Sequence, residues 1–202
     1  MITSALVSQL ALWLAVFILA VLVAALARQV GVLHERIAPA GALALGKQIS
    51  VGEPGPSMAL IAVDGSRITI GGVRPARSQL LFFVSPDCPV CKSLLPVVRS
   101  TAAAEADWLD LVFVSDGPPA PHHEMITRHG LAGTPYVLSE QLGRRLSVSK
   151  LPYGVLLDEN GAIAAFGLVN TREHLESLFE AKEHGVASIQ QYLARRQAGE
   201  NR

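Results

Sequence analysis

The sequence predicts an α/β domain, a central mixed sheet flanked by helices, preceded by one N-terminal transmembrane helix. Three observations carry that expectation. Residues 1–27 hold no charged side chain, and Leu10–Ala27 is an unbroken run of eighteen apolar residues. Further on, short apolar runs suited to buried strands alternate with helical stretches. Near the end, Tyr153–Asp158 and Ala162–Phe166 flank the turn Glu159-Asn160-Gly161, and a helix follows.

Composition narrows the function classes. The 202 residues carry 17 basic and 17 acidic side chains, so the formal charge is zero. A neutral chain without a basic run is a poor nucleic-acid binder. Half the residues are hydrophobic, which excludes a disordered chain. Two cysteines, Cys88 and Cys91, supply neither a disulfide scaffold nor a four-thiolate zinc site.

The N-terminal run is long enough to span a bilayer, since some twenty helical residues cross a hydrocarbon core of about 30 Å. The expected anchor is 5–27. A cleaved signal peptide is the competing reading, because Ala25-Leu26-Ala27 resembles a cleavage site; the absent basic n-region and the length of the run argue against it. Residues 28–50 form a juxtamembrane segment, with a helix extension over Val30–Ile37, then Pro39 and small residues. Arg28, Arg36 and Lys47 against Glu35 lean toward a cytoplasmic C-terminal portion by the positive-inside rule. The soluble domain is expected over 51–190, with a C-terminal tail at 191–202.

Within the domain, Gly-Glu-Pro-Gly-Pro at 52–56 reads as an entry loop. Met58–Val63 and Arg67–Ile70 flank Asp64-Gly65 as a hairpin. Gln79–Val84 is a strand buried on both faces, and a helix runs from Pro89 to about Ala106, interrupted by Pro96. Leu109–Ser115 is a second buried strand. Then come a proline-rich loop, a short helix over His122–His129, a strand at Tyr136–Leu138 and a short piece at Gly143–Ser149. After the final hairpin, Asn170 and Glu173 form a capping box for a helix to His184. Gly185 ends it, and Val186–Arg196 is a further helix.

Ser85-Pro86-Asp87-Cys88-Pro89-Val90-Cys91-Lys92 lies where a buried strand turns into a helix. A cysteine at a helix N-terminus faces unpaired backbone N–H groups and the positive end of the dipole, which stabilise its thiolate. Cys88 is then the nucleophile, and Cys91, one turn along, resolves the mixed disulfide. Pro89 suits the first helical turn. The competing readings are a metal site recruiting His122, His123 or His129, and a structural disulfide, which would constrain little in so short a loop. The redox reading needs no cofactor beyond the cysteine pair.

This strand–Cys-Pro-Val-Cys-Lys–helix arrangement resembles the thioredoxin superfamily and implies a thioredoxin-like fold. Pro96 matches the proline that kinks the active-site helix of that family. Leu151-Pro152, just ahead of the hairpin, matches its cis-proline beside the cysteines; Thr134-Pro135 is the rival position. Segment 117–150 resembles the insertion of membrane-anchored TlpA-like thioredoxins. Two positions depart from the pattern. Asp87 stands where the family has tryptophan, and Phe82 where many members hold a buried acid, which leaves no proton acceptor identified for Cys91.

A closer resemblance covers nearly the whole chain. The apolar N-terminus, the stretch Ala27–Gly41, "FFVSPDCPVCKSLLP" and "GLVNTREHLESLFEA" resemble the MauD family of methylamine utilization accessory proteins. That resemblance implies a single-pass protein of the bacterial inner membrane with its thioredoxin-like domain in the periplasm. It also implies a client, the disulfide-rich small subunit of methylamine dehydrogenase, and a membrane or periplasmic redox partner that recycles the pair. The alternatives are a membrane-tethered chaperone for that subunit, with incidental cysteines, and a peroxiredoxin-like thiol peroxidase. For the peroxidase, Ser85 fits the expected position before Cys88 but Leu81 stands where proline belongs.

Overall fold

A computed structural model describes residues 9–10, 12–23 and 49–184. The chain divides into two compact units, Met1–Ala42 and Leu43–Arg202. In the first, residues 12–23 are helical and every one of them is exposed, with Leu12, Trp13 and Phe17 between 66% and 68%. No helix among the described residues is long and apolar enough to cross a membrane. The anchor expected over 5–27 lies partly outside those residues. The Ala25–Ala27 site, the 30–37 helix, the stop at Gly185, the 186–196 helix and the 191–202 tail lie wholly outside them.

The second unit is an α/β fold. A hairpin of β1 (Met58–Ile61) and β2 (Arg67–Ile70) precedes β3 (Ser78–Phe83), α1 (Pro89–Ala104) and β4 (Leu109–Ser115). Then follow α2 (Pro119–Arg128), β5 (Tyr136–Leu138), α3 (Glu140–Arg145), β6 (Tyr153–Leu157), β7 (Ile163–Leu168) and α4 (Arg172–His184). The main sheet runs β5-β4-β3-β6-β7. β3 is parallel to β4 and antiparallel to β6, β4 is parallel to β5, and β6 is antiparallel to β7.

Every residue of β3 is buried, because alternate side chains serve two cores. Leu80 and Phe82 pack with Cys91, Leu95 and Val98 of α1 and with Leu175 of α4. Leu81 and Phe83 pack on the other face with Ile70, Leu142 and Ile163. The buried Gln79 ties the small hairpin to this strand, its Oε1 accepting the Gly71 N–H (2.9 Å) and its Nε2 donating to Thr69 O (3.1 Å).

Four local readings change. The 52–56 stretch is more than an entry loop: Gly52 donates to Ile163 O, Ile163 to Glu53 O and Gly55 to Gly161 O (2.8–2.9 Å), so it lies along the start of β7. In the β6–β7 turn, only Gly161 takes a positive φ, +78°. Asp158 organises that turn instead, its Oδ1 accepting the N–H groups of Asn160 (2.9 Å) and Ala162 (2.8 Å). α4 is capped by Thr171, whose Oγ1 accepts the His174 N–H (3.3 Å), while His174 Nδ1 accepts the Asn170 N–H (3.3 Å). The cap thus runs through Thr171 and the His174 ring, which takes the Asn170 N–H, rather than through an Asn170/Glu173 box. Finally, α3 starts before Gly143, because Ser139 Oγ accepts the Leu142 N–H (3.2 Å) and caps it.

Two substitutions test this framework. A Cβ on Gly161 would sit 2.8 Å from both N and O of Gly72, so Gly161→Ala meets backbone as well as an unfavourable φ. It should destabilise by about 2–4 kcal/mol in urea titration. Asp110 is paired with Arg77 and Arg74; hydrogen bonding from Arg77, then from Arg74, holds its carboxyl below the usual value. Its contribution is therefore present above the ordinary carboxyl range and lost as pH falls through the lowered value. The urea-midpoint gap between wild type and Asp110→Asn, worth about 1 kcal/mol or less for a pair this exposed, should begin to narrow below about pH 4 and close only once the pH is under the lowered value.

Candidate active site

β3 delivers the chain to the cysteines. Val84 N–H donates to Val114 O (2.9 Å), and Ser115 Oγ donates to Val84 O (2.7 Å), fixing the strand end on both sides of its last peptide. Ser85 then folds the turn: its carbonyl accepts the Cys88 N–H (3.1 Å) and its Oγ the Asp87 N–H (3.2 Å). Cys88 is the N-cap of α1, with extended backbone (φ −93°, ψ 108°). Its Sγ accepts the Cys91 N–H at 3.1 Å. A sulfur placed there meets the free amide donors of the first helical turn, and Pro89 at the next position has no N–H to leave unpaired.

Cys88 and Cys91 form a disulfide, with Cα atoms 5.2 Å apart. Their surroundings differ. Cys88 is half-buried, whereas Cys91 is fully buried among Leu80, Phe82, Leu94 and Leu95. Phe82 thus forms part of an apolar floor under the buried sulfur. Asp87 is exposed and Lys92 half-buried. Pro96 lies inside α1 with its ring exposed, and its missing N–H leaves the Lys92 carbonyl without its helical donor.

Pro152 is buried at the start of β6, and its carbonyl accepts the Val169 N–H (3.1 Å). Tyr153 pairs with Phe83, so Pro152 stands beside Val84, at the end of the sheet where the cysteines lie. The Leu151–Pro152 peptide is cis, and it is the only cis bond among the described residues; the rival Thr134-Pro135 is not cis. Apolar side chains remain exposed at this end: Val90 between the cysteines, Leu151, and Leu168 opposite Tyr153.

The histidines do not approach the pair as a ligand set. Among the described residues, no group of three or more His, Cys, Asp or Glu could hold a metal. His122 sits in α2 and is 2% exposed. Its Nε2 lies 2.8 Å from Asp116 O and its Nδ1 2.9 Å from Tyr136 Oη. A donor is required at Nε2, which leaves Nδ1 to accept from the phenol. Burial, with a smaller push from Asp116, raises the Tyr136 phenol to about 12, so it stays protonated and able to donate. His123 bonds Pro119 O through Nδ1 (2.8 Å). Ser85, Ser115 and His122 are the supports that sequence reasoning misses; only Ser85 carried a signal, its place two residues before Asp87.

A half-buried sulfur on a helix N-terminus, disulfide-linked to a buried one, is the arrangement of a thioredoxin-like thiol–disulfide oxidoreductase. Solved structures agree on the fold. A putative protein disulfide isomerase from Bacteroides thetaiotaomicron superposes with TM-score 0.57 at 21% identity, over 71% of this chain and 94% of its own. A peroxiredoxin-like protein from Aquifex aeolicus gives 0.56 at 18%, over 69% and 90%. StoA from Bacillus subtilis gives 0.53 at 24%, over 61% and 96%. No protein-family model matches the chain. Full-length relatives are far more similar in sequence. The methylamine utilization protein MauD of Methylobacillus flagellatus is 46% identical over 187 residues, 92% of this chain and 90% of its own. MauD of Methylorubrum extorquens is 46% identical over 190 residues (94% and 92%), and that of Paracoccus denitrificans 44% over 190 (94% of each). At that identity over nearly the full length, the chain belongs to the MauD family of methylamine utilization proteins.

Proposed function

We propose that the protein is a membrane-anchored, periplasmic thiol–disulfide oxidoreductase that forms or rearranges disulfides in the small subunit of methylamine dehydrogenase. The observation that carries this reading is the asymmetry of the pair: Cys88 reachable at the start of α1, Cys91 sealed beneath it. A client thiolate attacks Cys88 Sγ and forms a mixed disulfide, while Cys91 leaves and takes up a proton. A second client thiolate then attacks the client sulfur of that bond. The client disulfide forms, Cys88 departs as thiolate, and two electrons stay on the pair. A membrane or periplasmic redox partner removes them. Run backwards, the same steps reduce a client disulfide; rearrangement uses the Cys88 thiolate alone.

Val90, Leu151 and Leu168 supply an apolar rim on which an unfolded client segment would rest, with Pro152 beside Val84 at the same end of the sheet. The chargeless N-terminal run is the anchor in this reading, and disulfide chemistry favours an oxidising compartment for the domain, against the small basic excess after the run. The chaperone alternative draws on the same apolar rim but has no use for a paired sulfur at a helix N-terminus.

Cys91→Ser should trap the small subunit on Cys88 as a mixed disulfide, seen in cells as a higher-mass species that disappears on reduction. A membrane-impermeant thiol reagent added to spheroplasts should block that species from forming. Replacing both cysteines by serine should abolish dehydrogenase maturation. Full maturation with the double variant would establish the chaperone reading, and protection from the impermeant reagent would place the domain in the cytoplasm.

A further inference from the structure

Among the described residues, the buried polar side chains are Ser78, Gln79, Thr101, Ser115 and His122. Ser78 and Gln79 open β3 and Thr101 lies near the end of α1, away from the sulfurs. Ser115 and His122 are at the cysteine end of the sheet. His122 is also the only histidine or charged side chain in that group, and the thiol chemistry above does not use it.

The imidazole joins three elements. β4 ends at Ser115, and Nε2 donates to the carbonyl of Asp116, the first residue beyond it (2.8 Å). Nδ1 accepts from the Tyr136 hydroxyl of β5 (2.9 Å). The start of α2 has no side-chain cap, so the ring itself fastens the chain that leads from β4 into the helix. The carbonyl it holds is one residue from Ser115, and Ser115 governs the exit from β3. Its own carbonyl accepts the Ser139 N–H (2.8 Å), and its hydroxyl donates to Val84 O (2.7 Å). Beyond Val84, Ser85 O accepts the Cys88 N–H (3.1 Å), and Cys88 Sγ accepts the Cys91 N–H (3.1 Å). Hydrogen bonds and short covalent links thus run unbroken from the imidazole to the half-buried sulfur.

We infer that His122 is a positioning residue for Cys88. By holding the Asp116 carbonyl it sets Ser115, and through Ser115 the Val84 peptide and the turn that brings Cys88 onto the end of α1. The tautomer matters, because only an Nε2–H can donate to a carbonyl, and the Tyr136 hydroxyl at Nδ1 selects it. Moved off the helix end, Cys88 loses the Cys91 amide donor that favours thiolate over thiol. This inference rests on the reading of Cys88 as the nucleophile.

The test is the pH profile of iodoacetamide labelling at Cys88, measured on reduced full-length protein in detergent micelles beside urea unfolding. His122→Leu should move the profile to higher pH, so that labelling at about pH 7 slows roughly tenfold, the effect of a one-unit rise. His122→Gln, whose amide nitrogen can stand in for Nε2 as donor, should restore most of the rate. If His122→Leu does not fold, Tyr136→Phe applies the same test. Without the phenol the ring is free to carry its proton on Nδ1, and labelling should slow in the same direction. Leu131→Ala removes a fully buried apolar side chain of the core around Cys91; it should lower the urea midpoint and leave the profile in place. In a Ser115→Ala background, His122→Leu should add little, because the ring acts through Ser115. An unmoved profile, an equal shift in Leu131→Ala, no rescue by glutamine, or fully additive losses with Ser115→Ala would overturn the inference. Wild-type protein that labels Cys91 as fast as Cys88 would instead overturn the reading beneath it.

Discussion

A single contact organises the site: the hydrogen bond from the Cys91 N–H to Cys88 Sγ at the first turn of α1. It exists only because β3, buried on both faces, holds the preceding residues in place. Leu80 and Phe82 anchor one side of that strand under α1, and Leu81 and Phe83 the other. Ser115 and Ser85 then fix the short exit from the strand by bonding its carbonyl and the following amides. Loosening that exit by one residue would move Cys88 off the helix end. The thiolate would then lose the amide donors that make it a better nucleophile than an ordinary cysteine.

The same packing separates the two sulfurs. Cys91 turns inward because its place on α1 belongs to the face that also buries Leu94, Leu95 and Val98. Cys88 stays at the rim because it is the cap, outside the helix proper. One amphipathic pattern thus sets both the position of the helix and the difference in burial between the two sulfurs.

Much of this was legible in the sequence. The bounds of β4 and β5 follow from Leu109–Ser115 and Tyr136–Leu138 as read, since runs of apolar and β-branched residues leave little choice of face. The cysteine pair and the proline at the first helical turn were also readable, because each sits at an element boundary with its own chemical signature; the cis bond at Leu151–Pro152 was expected from the resemblance to thioredoxins, not from the residues alone. What escaped was tertiary or depended on unusual acceptors. A histidine ring replaced the expected glutamate in the α4 cap, an acceptor that the usual capping pattern does not include. Asp158 rather than Asn160 governs the last turn, because its carboxylate reaches two amides at once. Nothing in the sequence marks His122 as buried, yet Tyr136, fourteen positions on, supplies the partner that lets it be so.

In the proposed reaction Cys88 reacts while Cys91 waits. Reduced protein exposed briefly to iodoacetamide at neutral pH, then digested and weighed by mass spectrometry, tests this directly. Label should accumulate on Cys88, with Cys91 modified only after unfolding. Equal labelling of the two cysteines, or label on Cys91 first, would contradict the account.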